Sequence, residues 1–354
     1  MVGDQIGIVT LPGNYNYGNR LQNYATTKIY SDLGFLPTTL QMPKRINVVR
    51  DVKHFCKKII GTSLQNPEDL MTPARLKAFD RFNSLIPFAE VASFRDPSLC
   101  SYKFFSVGSD QVWNPNLNRY NEDWYYLEFA KPEQKIALAP SIGVDDLDKQ
   151  SAKSFKKRIS EFRYLSVRER RGAELIRLYS GRNAVVICDP VFVLSANDWR
   201  KVSDSRMNPK DPYIFTYLLG GLNEESSLLL NAAHNNGLTN IVSLSDRQKP
   251  DEIDAGPAEF ISLIDNAAYV ITDSFHAAAF SVILETPLTI VRRQGGKSMF
   301  SRLEQLADML NVGHKIYGSS KFDLSRSGDY RGVPEAIECE RQKFMDYLEG
   351  CLNA

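Results

Sequence analysis

The chain has 354 residues, of which 43% are hydrophobic and 24% charged, with a formal net charge of +1. This composition is typical of a soluble globular enzyme or binding protein, and the balanced charge argues against nucleic acid as the main partner. No apolar run predicts a transmembrane helix, no signal-peptide pattern opens the chain, and five scattered cysteines suggest neither a disulfide framework nor a zinc site, so a cytoplasmic protein is expected.

Short apolar runs alternate with helical periodicity along the first half of the chain. Strands are predicted at 6–11, 37–42, 103–107, 135–139, 164–167 and 185–188, with helices near 21–33, 148–161 and 170–179 and two more within 46–86. Alternating strands and helices are typical of a parallel sheet covered by helices. We therefore predict an N-terminal Rossmann-like domain over residues 1–195.

A second alternating series follows a polar stretch at 194–211, which we interpret as a linker. Its strands are predicted at 213–219, 240–244, 269–272 and 288–291, and its helices at 223–235, 257–266, 276–285 and 300–310. This series predicts a C-terminal Rossmann-like domain over 212–333, and a final helix at 335–354 is expected to pack back on the first domain. The predicted fold class is α/β, with two Rossmann-like domains facing a cleft.

The loop after the first predicted strand, GNYNYGNR at 13–20, is rich in glycine and asparagine. Such a loop lets backbone N–H groups approach a ligand, although it matches no nucleotide-binding fingerprint. Ligands of open α/β sheets bind beyond the carboxyl ends of the strands. Asn14, Tyr17, Asn19 and Arg20 are therefore ligand-binding candidates, and a purely structural turn is the alternative.

A second polar loop, GSDQVWNP at 108–115, also follows a predicted strand. Asp110, Gln111 and Trp113 offer a carboxylate, an amide and an indole, which together suit sugar hydroxyls and apolar sugar faces. The alternative is a structural turn with Trp113 in the core.

Three arginines stand near the ends of predicted strands. Arg168 lies at a strand-to-helix junction, where its guanidinium group can bind a phosphate or a carboxylate. The alternative is a surface salt bridge with Glu169. Arg292 and Arg293 follow the last predicted strand, and the same two interpretations apply to them.

His276 is one of only four histidines, and it lies just after the predicted strand at 269–272. The pair Asp273-Ser274 predicts a helix N-cap, which places His276 in the first helical turn. Helix N-termini attract anions, so a histidine there can exchange protons with an anionic substrate. A partly buried structural histidine is the alternative.

Four segments resemble the polysaccharide pyruvyl transferase family: GNYNYGNRLQNYA, VGSDQVWNP, SVRERRGAELI and EFISLIDNAAYVITDSFHAAAFSVILETP. The resemblance implies a glycosyltransferase B-type fold with phosphoenolpyruvate as the donor. It implies as acceptor a sugar hydroxyl pair of a bacterial polysaccharide or its lipid-linked precursor, and a pyruvate ketal as product. His276 matches the family's general acid or base, and Arg168 matches an arginine that holds the donor. Ser274 departs from the family, which has an arginine at this place.

These observations assign expected roles. We expect catalysis by His276 and Asp110, donor binding by Arg168, Ser274, Arg292 and Arg293, and acceptor binding by Asn14, Tyr17, Asn19, Arg20, Gln111 and Trp113. No metal or cofactor is expected. A lysine-rich stretch at 53–58 either contacts an anionic membrane surface at the inner face or forms a solvated face. Two alternatives stay open: a nucleotide-sugar-dependent glycosyltransferase of the same fold, and a non-catalytic glycan-binding or assembly protein.

Overall fold

The computed structural model describes residues 3–13, 15–42, 71–118, 122–246, 248–249, 251–293 and 300–353. The strands in these residues are β1 Gln5–Val9, β2 Leu36–Gln41, β3 Phe88–Glu90, β4 Tyr102–Val107, β5 Lys135–Ala137, β6 Ser166–Val167, β7 Val185–Val186, β8 Tyr213–Tyr217, β9 Asn240–Leu244, β10 Tyr269–Thr272 and β11 Leu288–Ile290. The α-helices are α1 Tyr17–Asp32, α2 Pro73–Asn83, α3 Pro115–Asn118, α4 Glu122–Tyr125, α5 Lys149–Ile159, α6 Arg170–Ser180, α7 Ala196–Lys201, α8 Glu224–Asn235, α9 Pro257–Asp265, α10 Phe275–Ile283, α11 Ser301–Met309 and α12 Val333–Leu352.

The N-terminal half is built on a parallel sheet with the strand order β3-β2-β1-β4-β5. The strand order reverses between β1 and β4, whose last residues, Val9 and Val107, are paired. A crevice therefore opens at the carboxyl ends of these two strands. All six strands predicted in this half are present. The strand β3 was not predicted, because its three residues carry no detectable alternation.

The C-terminal half has a parallel sheet with the order β11-β10-β8-β9. Here the order reverses between β8 and β10, where Thr272 pairs with Tyr217. The structure thus contains two parallel sheets, each with its own crevice at the carboxyl ends of its strands. This confirms the predicted α/β class of two Rossmann-like halves facing a cleft, the glycosyltransferase B-type arrangement.

Two features differ from the sequence predictions. Strands β6 and β7 form a separate two-stranded sheet. The stretch at 194–211 is not a plain polar linker, because it contains α7, whose Trp199 is fully buried against Tyr24 and Phe280. Residues 43–70, which include the lysine-rich stretch and most of the two helices predicted within 46–86, lie outside the described residues. The domain boundaries at 195 and 212 remain a prediction.

One hydrophobic cluster includes residues of both halves. Tyr17 of α1 stacks on Phe260 of α9, with 4.6 Å between the ring centroids. The hydroxyl of Tyr347 in α12 donates a hydrogen bond of 2.8 Å to the carbonyl oxygen of Ala137 in the N-terminal sheet. The two halves are therefore packed on each other through helices. None of the helices in the described ranges is both long and apolar enough to cross a membrane.

Candidate functional site

The two crevices meet around Asp189, a fully buried residue that follows β7. Its Oδ2 accepts a 2.6 Å hydrogen bond from Nη1 of Arg168 and a 3.2 Å bond from Oγ of Ser109. The Nε2 atom of His276, which comes from the other half, lies 3.7 Å from the same oxygen. Ser109, Arg168 and His276 come from three segments predicted to hold site residues. They converge on Asp189, which was not among the predicted residues.

The contacts of Asp189 keep it ionised. Burial alone would raise its pKa, but the neighbouring His276 and Arg168 outweigh burial and hold the pKa well below the ordinary value. The 3.7 Å between Nε2 of His276 and Oδ2 of Asp189 is longer than an ordinary hydrogen bond. Arg168 is also buried, and although burial would lower its pKa, Asp189 and Asp110 raise it.

His276 lies in the first turn of α10, which begins after the N-cap Ser274. On one side its ring faces Asp189; on the other it lies against Gly18 of α1, where an added Cβ would approach Nδ1 to 2.0 Å. Its Nε2 atom is buried and has no hydrogen-bond partner among the described residues. The imidazole is therefore held between the two halves of the molecule.

Arg168 places a cation beside His276. Its guanidinium group lies 4.9 Å from the ring centre of Phe275, and its Nη2 is 3.9 Å from Oδ1 of Asp110. The Nε and Nη2 atoms have no hydrogen-bond partner in the described part of the chain. Arg168 pairs with Asp189 rather than with Glu169, so the predicted alternative of a surface salt bridge is wrong.

Asp110 is a partly exposed carboxylate supported from the loop at 13–20. Its Oδ2 accepts a 3.3 Å hydrogen bond from Nδ2 of Asn19, and its Oδ1 accepts a 2.8 Å bond from the backbone N–H of Gln111. Asn19 in turn accepts a 2.5 Å bond from Nη2 of the fully buried Arg20. Burial lowers the pKa of Arg20 to about 10, against the opposing charge of Asp110. Asn19, which is itself held by Arg20, therefore helps to fix the position of the Asp110 carboxylate.

Two predicted acceptor-binding aromatics lie in the core instead. The hydroxyl of Tyr17 donates to the carbonyl oxygen of Ala255 at 2.8 Å, and Nε1 of Trp113 donates to that of Tyr125 at 3.0 Å. Both side chains are at most 2% exposed. With their surfaces covered and their polar atoms paired, they do not fit a role in acceptor contact. Asn14 lies outside the described residues.

The remaining predicted residues surround the junction. Arg293 approaches Oδ2 of Asp273 at 3.4 Å, and Ser274 is buried as the helix N-cap. The guanidinium group of Arg292 lies 5.1 Å from the ring centre of Phe300. Gln111 accepts a 2.8 Å hydrogen bond from Nδ2 of Asn114 through its side-chain oxygen. Arg293 also lies close enough to Arg302 for its charge to act on that guanidinium group.

Polar contacts occupy the carboxyl ends of the C-terminal sheet. The carboxylate of Asp273 accepts hydrogen bonds from the backbone N–H groups of Leu219 and Gly220, at 2.7 and 2.8 Å. Arg75 of α2 is fully buried and donates a 2.6 Å bond to the carbonyl oxygen of Ser245, just beyond β9. The crevice of this sheet is thus partly filled by the protein itself.

A cavity of about 520 Å³ adjoins the junction between the two halves. Arg302 of α11 lines it, and the charges of Arg168, Glu169, Asp110 and Arg293 all act on this guanidinium group. Burial, followed by repulsion from Arg168, lowers the pKa of Arg302 to about 10. In the described ranges, no group of three or more His, Cys, Asp or Glu side chains is placed to hold a metal ion.

Neither Asp189 nor Arg302 was among the residues expected at the site. Asp189 directly follows the predicted strand at 185–188, so the strand-end rule that selected Asp110 could have found it. Arg302 lies in a predicted helix, and nothing in the helical pattern separates it from an ordinary surface arginine. Only the packing of α11 against the N-terminal half brings it to the junction.

A family model described as polysaccharide pyruvyl transferase matches residues 16–294 of the chain. No curated protein gives a significant match to the sequence. Among solved structures, the glycosyltransferase SnogD from Streptomyces nogalater is similar over 99% of this chain and 98% of its own, at 11% identity and a TM-score of 0.42. An Arabidopsis thaliana protein complexed with UDP-L-rhamnose is similar over 100% and 95%, at 12% identity and a TM-score of 0.44. Similarity at these TM-scores does not indicate a shared function.

Proposed function

The chain belongs to the polysaccharide pyruvyl transferase family, and from this premise we propose that it transfers the enolpyruvyl group of phosphoenolpyruvate. The acceptor is a hydroxyl pair on a bacterial polysaccharide or its lipid-linked precursor, and the product is a pyruvate ketal. One observation carries the proposal: His276, Arg168 and Asp110 meet around Asp189 where the crevices of the two halves face each other.

The reaction needs a proton carrier, an anion-binding cation and a hydrogen-bond acceptor. The methylene carbon of the donor gains a proton, positive charge develops on the central carbon, and one sugar hydroxyl oxygen bonds to it. Phosphate then leaves and the second hydroxyl oxygen closes the ring. Of the two hydroxyl protons, one restores the proton carrier and the other leaves with phosphate, so the atoms balance.

The junction offers a residue for each of these needs. His276 is the proton carrier, since an imidazole can donate and accept a proton near neutral pH, and Asp189 and Gly18 fix its orientation. The unpaired Nη2 of Arg168 faces the donor's carboxylate or phosphate. Asp110, held by Asn19, orients a sugar hydroxyl.

Contacts at the C-terminal sheet favour this function over nucleotide-sugar transfer. A nucleotide diphosphate needs free backbone N–H groups at a strand end or helix N-terminus. The N–H groups of Leu219 and Gly220 already bind the carboxylate of Asp273, whose charge would also repel a diphosphate. Ser274 supplies no cation in the place of the family's arginine, and Arg293 and Arg302 stand nearby to do so.

The test is phosphate release from phosphoenolpyruvate with a panel of bacterial glycans, with the ketal methyl group followed by NMR. We expect both signals with the unmodified protein and a loss of at least roughly a hundredfold in His276→Ala. His234→Ala is the matched control, because His234 is exposed on α8. Equal turnover by His276→Ala would remove the histidine from the mechanism. Glycan binding without phosphate release would favour a non-catalytic protein.

A further inference from the structure

We propose that the cavity between the two halves binds the acceptor saccharide, with Glu169 accepting a hydrogen bond from one of its hydroxyls. This inference rests on the proposed function and locates the binding site of the acceptor, the second substrate of that reaction. The cavity is formed by the loop at 143–146 and the start of α6 on one side, and by α11 on the other. Its volume of about 520 Å³ is in the range of small-ligand sites.

The side chains around the cavity suit a hydroxyl-rich, uncharged ligand. They include the carboxylates of Asp145, Asp146, Glu169, Glu304 and Asp308 and the guanidinium groups of Arg170, Arg171 and Arg302. Among the described lining residues, five formal negative charges stand against three positive ones, which disfavours an anion such as phosphoenolpyruvate. Among the described residues that line the cavity, Val144 is the only aliphatic side chain and none is aromatic, so a nucleobase would find no ring there to stack on.

Glu169 is the residue in this cavity whose carboxylate is held in place to accept a further hydrogen bond. It is 7% exposed, and its Oε1 accepts hydrogen bonds from Oγ of Ser141, N of Ile142 and N of Gly143, at 2.9, 2.7 and 3.1 Å. These three bonds fix the carboxylate, while Oε2 has no hydrogen-bond partner among the described residues. A buried acceptor without a partner is unfavourable, and a sugar hydroxyl would satisfy it.

The position of Glu169 connects this cavity to the proposed donor site. Glu169 and Arg302 also line a narrower space that is bordered by Arg168, Asp189 and Phe275. A saccharide hydroxyl at Glu169 would therefore lie beside the residues assigned to the donor. The cleft would then hold phosphoenolpyruvate at Arg168 and the sugar at the neighbouring Glu169.

The variant Glu169→Gln tests this assignment. It keeps an oxygen for the three donors that hold Oε1 and replaces the unpaired Oε2 acceptor by an N–H donor. The probe is a set of methyl glycosides of neutral hexopyranoses, with binding measured by saturation-transfer NMR. We expect binding of at least one glycoside to the unmodified protein and a loss of about tenfold or more in affinity in Glu169→Gln. Glu349→Gln, an exposed change at the end of α12, should bind as the unmodified protein does.

A second variant tests the cavity without changing Glu169, because the substitution Glu169→Gln could itself impair folding. Ser301→Trp fills the cavity from the exposed first residue of α11 and should also abolish glycoside binding. Phosphoenolpyruvate titrations of the same proteins separate the two proposals. Glycoside binding that is equal in Glu169→Gln and the unmodified protein overturns the acceptor site, as does phosphoenolpyruvate binding without any glycoside binding. Failure of phosphoenolpyruvate to bind overturns the proposed function itself.

Discussion

The orientation of His276 depends on a glycine in the other half of the molecule. The Cα of Gly18 faces the imidazole so closely that a Cβ there would lie 2.0 Å from Nδ1 and 2.4 Å from Cε1. Real Cβ atoms do not approach other atoms so closely, so any larger residue must displace the ring from Asp189. Gly18 is thus a positioning residue that acts through His276.

Replacing Gly18 by Ala should lower turnover by about a hundredfold, the cost of misplacing a catalytic group by about an ångström. The displaced ring should also lower the free energy of unfolding by about 1–3 kcal/mol, the usual cost of an added methyl group in a packed interior. Gly350→Ala is the matched control, because Gly350 also lies in a helix and has open space around its Cα. Initial rates and thermal unfolding of both variants check the prediction. Normal turnover by Gly18→Ala would mean that the ring can move without loss of function.

Asp189 should make stability depend on pH in one direction. Its folded-state pKa is lower than the unfolded value of about 3.9, so the folded protein binds fewer protons than the unfolded chain below about pH 5. The stabilisation is complete above that pH and is lost as pH falls through the folded-state pKa. Asp189→Asn should therefore cost about 3 kcal/mol or more at pH 7, where it removes the charge that is hydrogen-bonded to the buried Arg168, and less near pH 3. Denaturant unfolding at both pH values measures this, and a difference that does not change with pH would contradict it.

At the site, the sequence could reveal residues whose position follows from local structure. His276, Asp110 and Arg168 all follow strands, and the strand-end rule selects them from the order of residues alone. Tyr17 and Trp113 also follow strands, but their side chains turn into the core. Their burial depends on distant partners, such as Ala255 for Tyr17, which no local pattern contains.

Among the elements, α1 and α2 of the N-terminal half cover the strand ends of the C-terminal sheet. Tyr17 of α1 packs edge-on against Tyr217 at the end of β8. Arg75 of α2 binds the carbonyl oxygen of Ser245 and approaches Oε2 of the buried Glu252 at 3.2 Å. These two helices tie the halves together on the side of the sheet where a nucleotide would otherwise bind.

Replacing Arg75 by Met should destabilise the protein by about 3–5 kcal/mol, because Glu252 would remain buried without its cation. Arg95→Met, a change at an exposed position, should stay within about 0.5 kcal/mol of the unmodified protein. The free energy of unfolding in denaturant gives both values. In the double variant with Glu252→Gln, part of the loss should return. Independent, additive effects would show that the pair is not coupled.

The sequence predicted best the elements that have either a clear helical period or a short continuous apolar run. The helices α8, α9 and α11 and the strands β9 and β10 all fall within two residues of their predicted bounds. The short strand β3 depends on pairing with β2 through Thr39 and Phe88, and α7 depends on burying Trp199. Such elements form through tertiary contacts, so their own sequence signals them weakly.

Viewed whole, the molecule joins two parallel sheets through a shared hydrophobic core. Residues of both halves form the junction around Asp189 and the adjoining cavity. The binding groups come from both halves, so neither half alone would form the site. This arrangement suits a transferase, which must bring two substrates together and exclude water from the intermediate.

Thermal unfolding with phosphoenolpyruvate, and in parallel with nucleotide sugars, tests the central claim most directly. Phosphoenolpyruvate should raise the melting temperature by several degrees at saturation, whereas the nucleotide sugars should leave it unchanged. Arg168→Lys should lose the shift, because lysine keeps a charge beside Asp189 but lacks the second guanidinium nitrogen. A shift with a nucleotide sugar and none with phosphoenolpyruvate would contradict pyruvyl transfer.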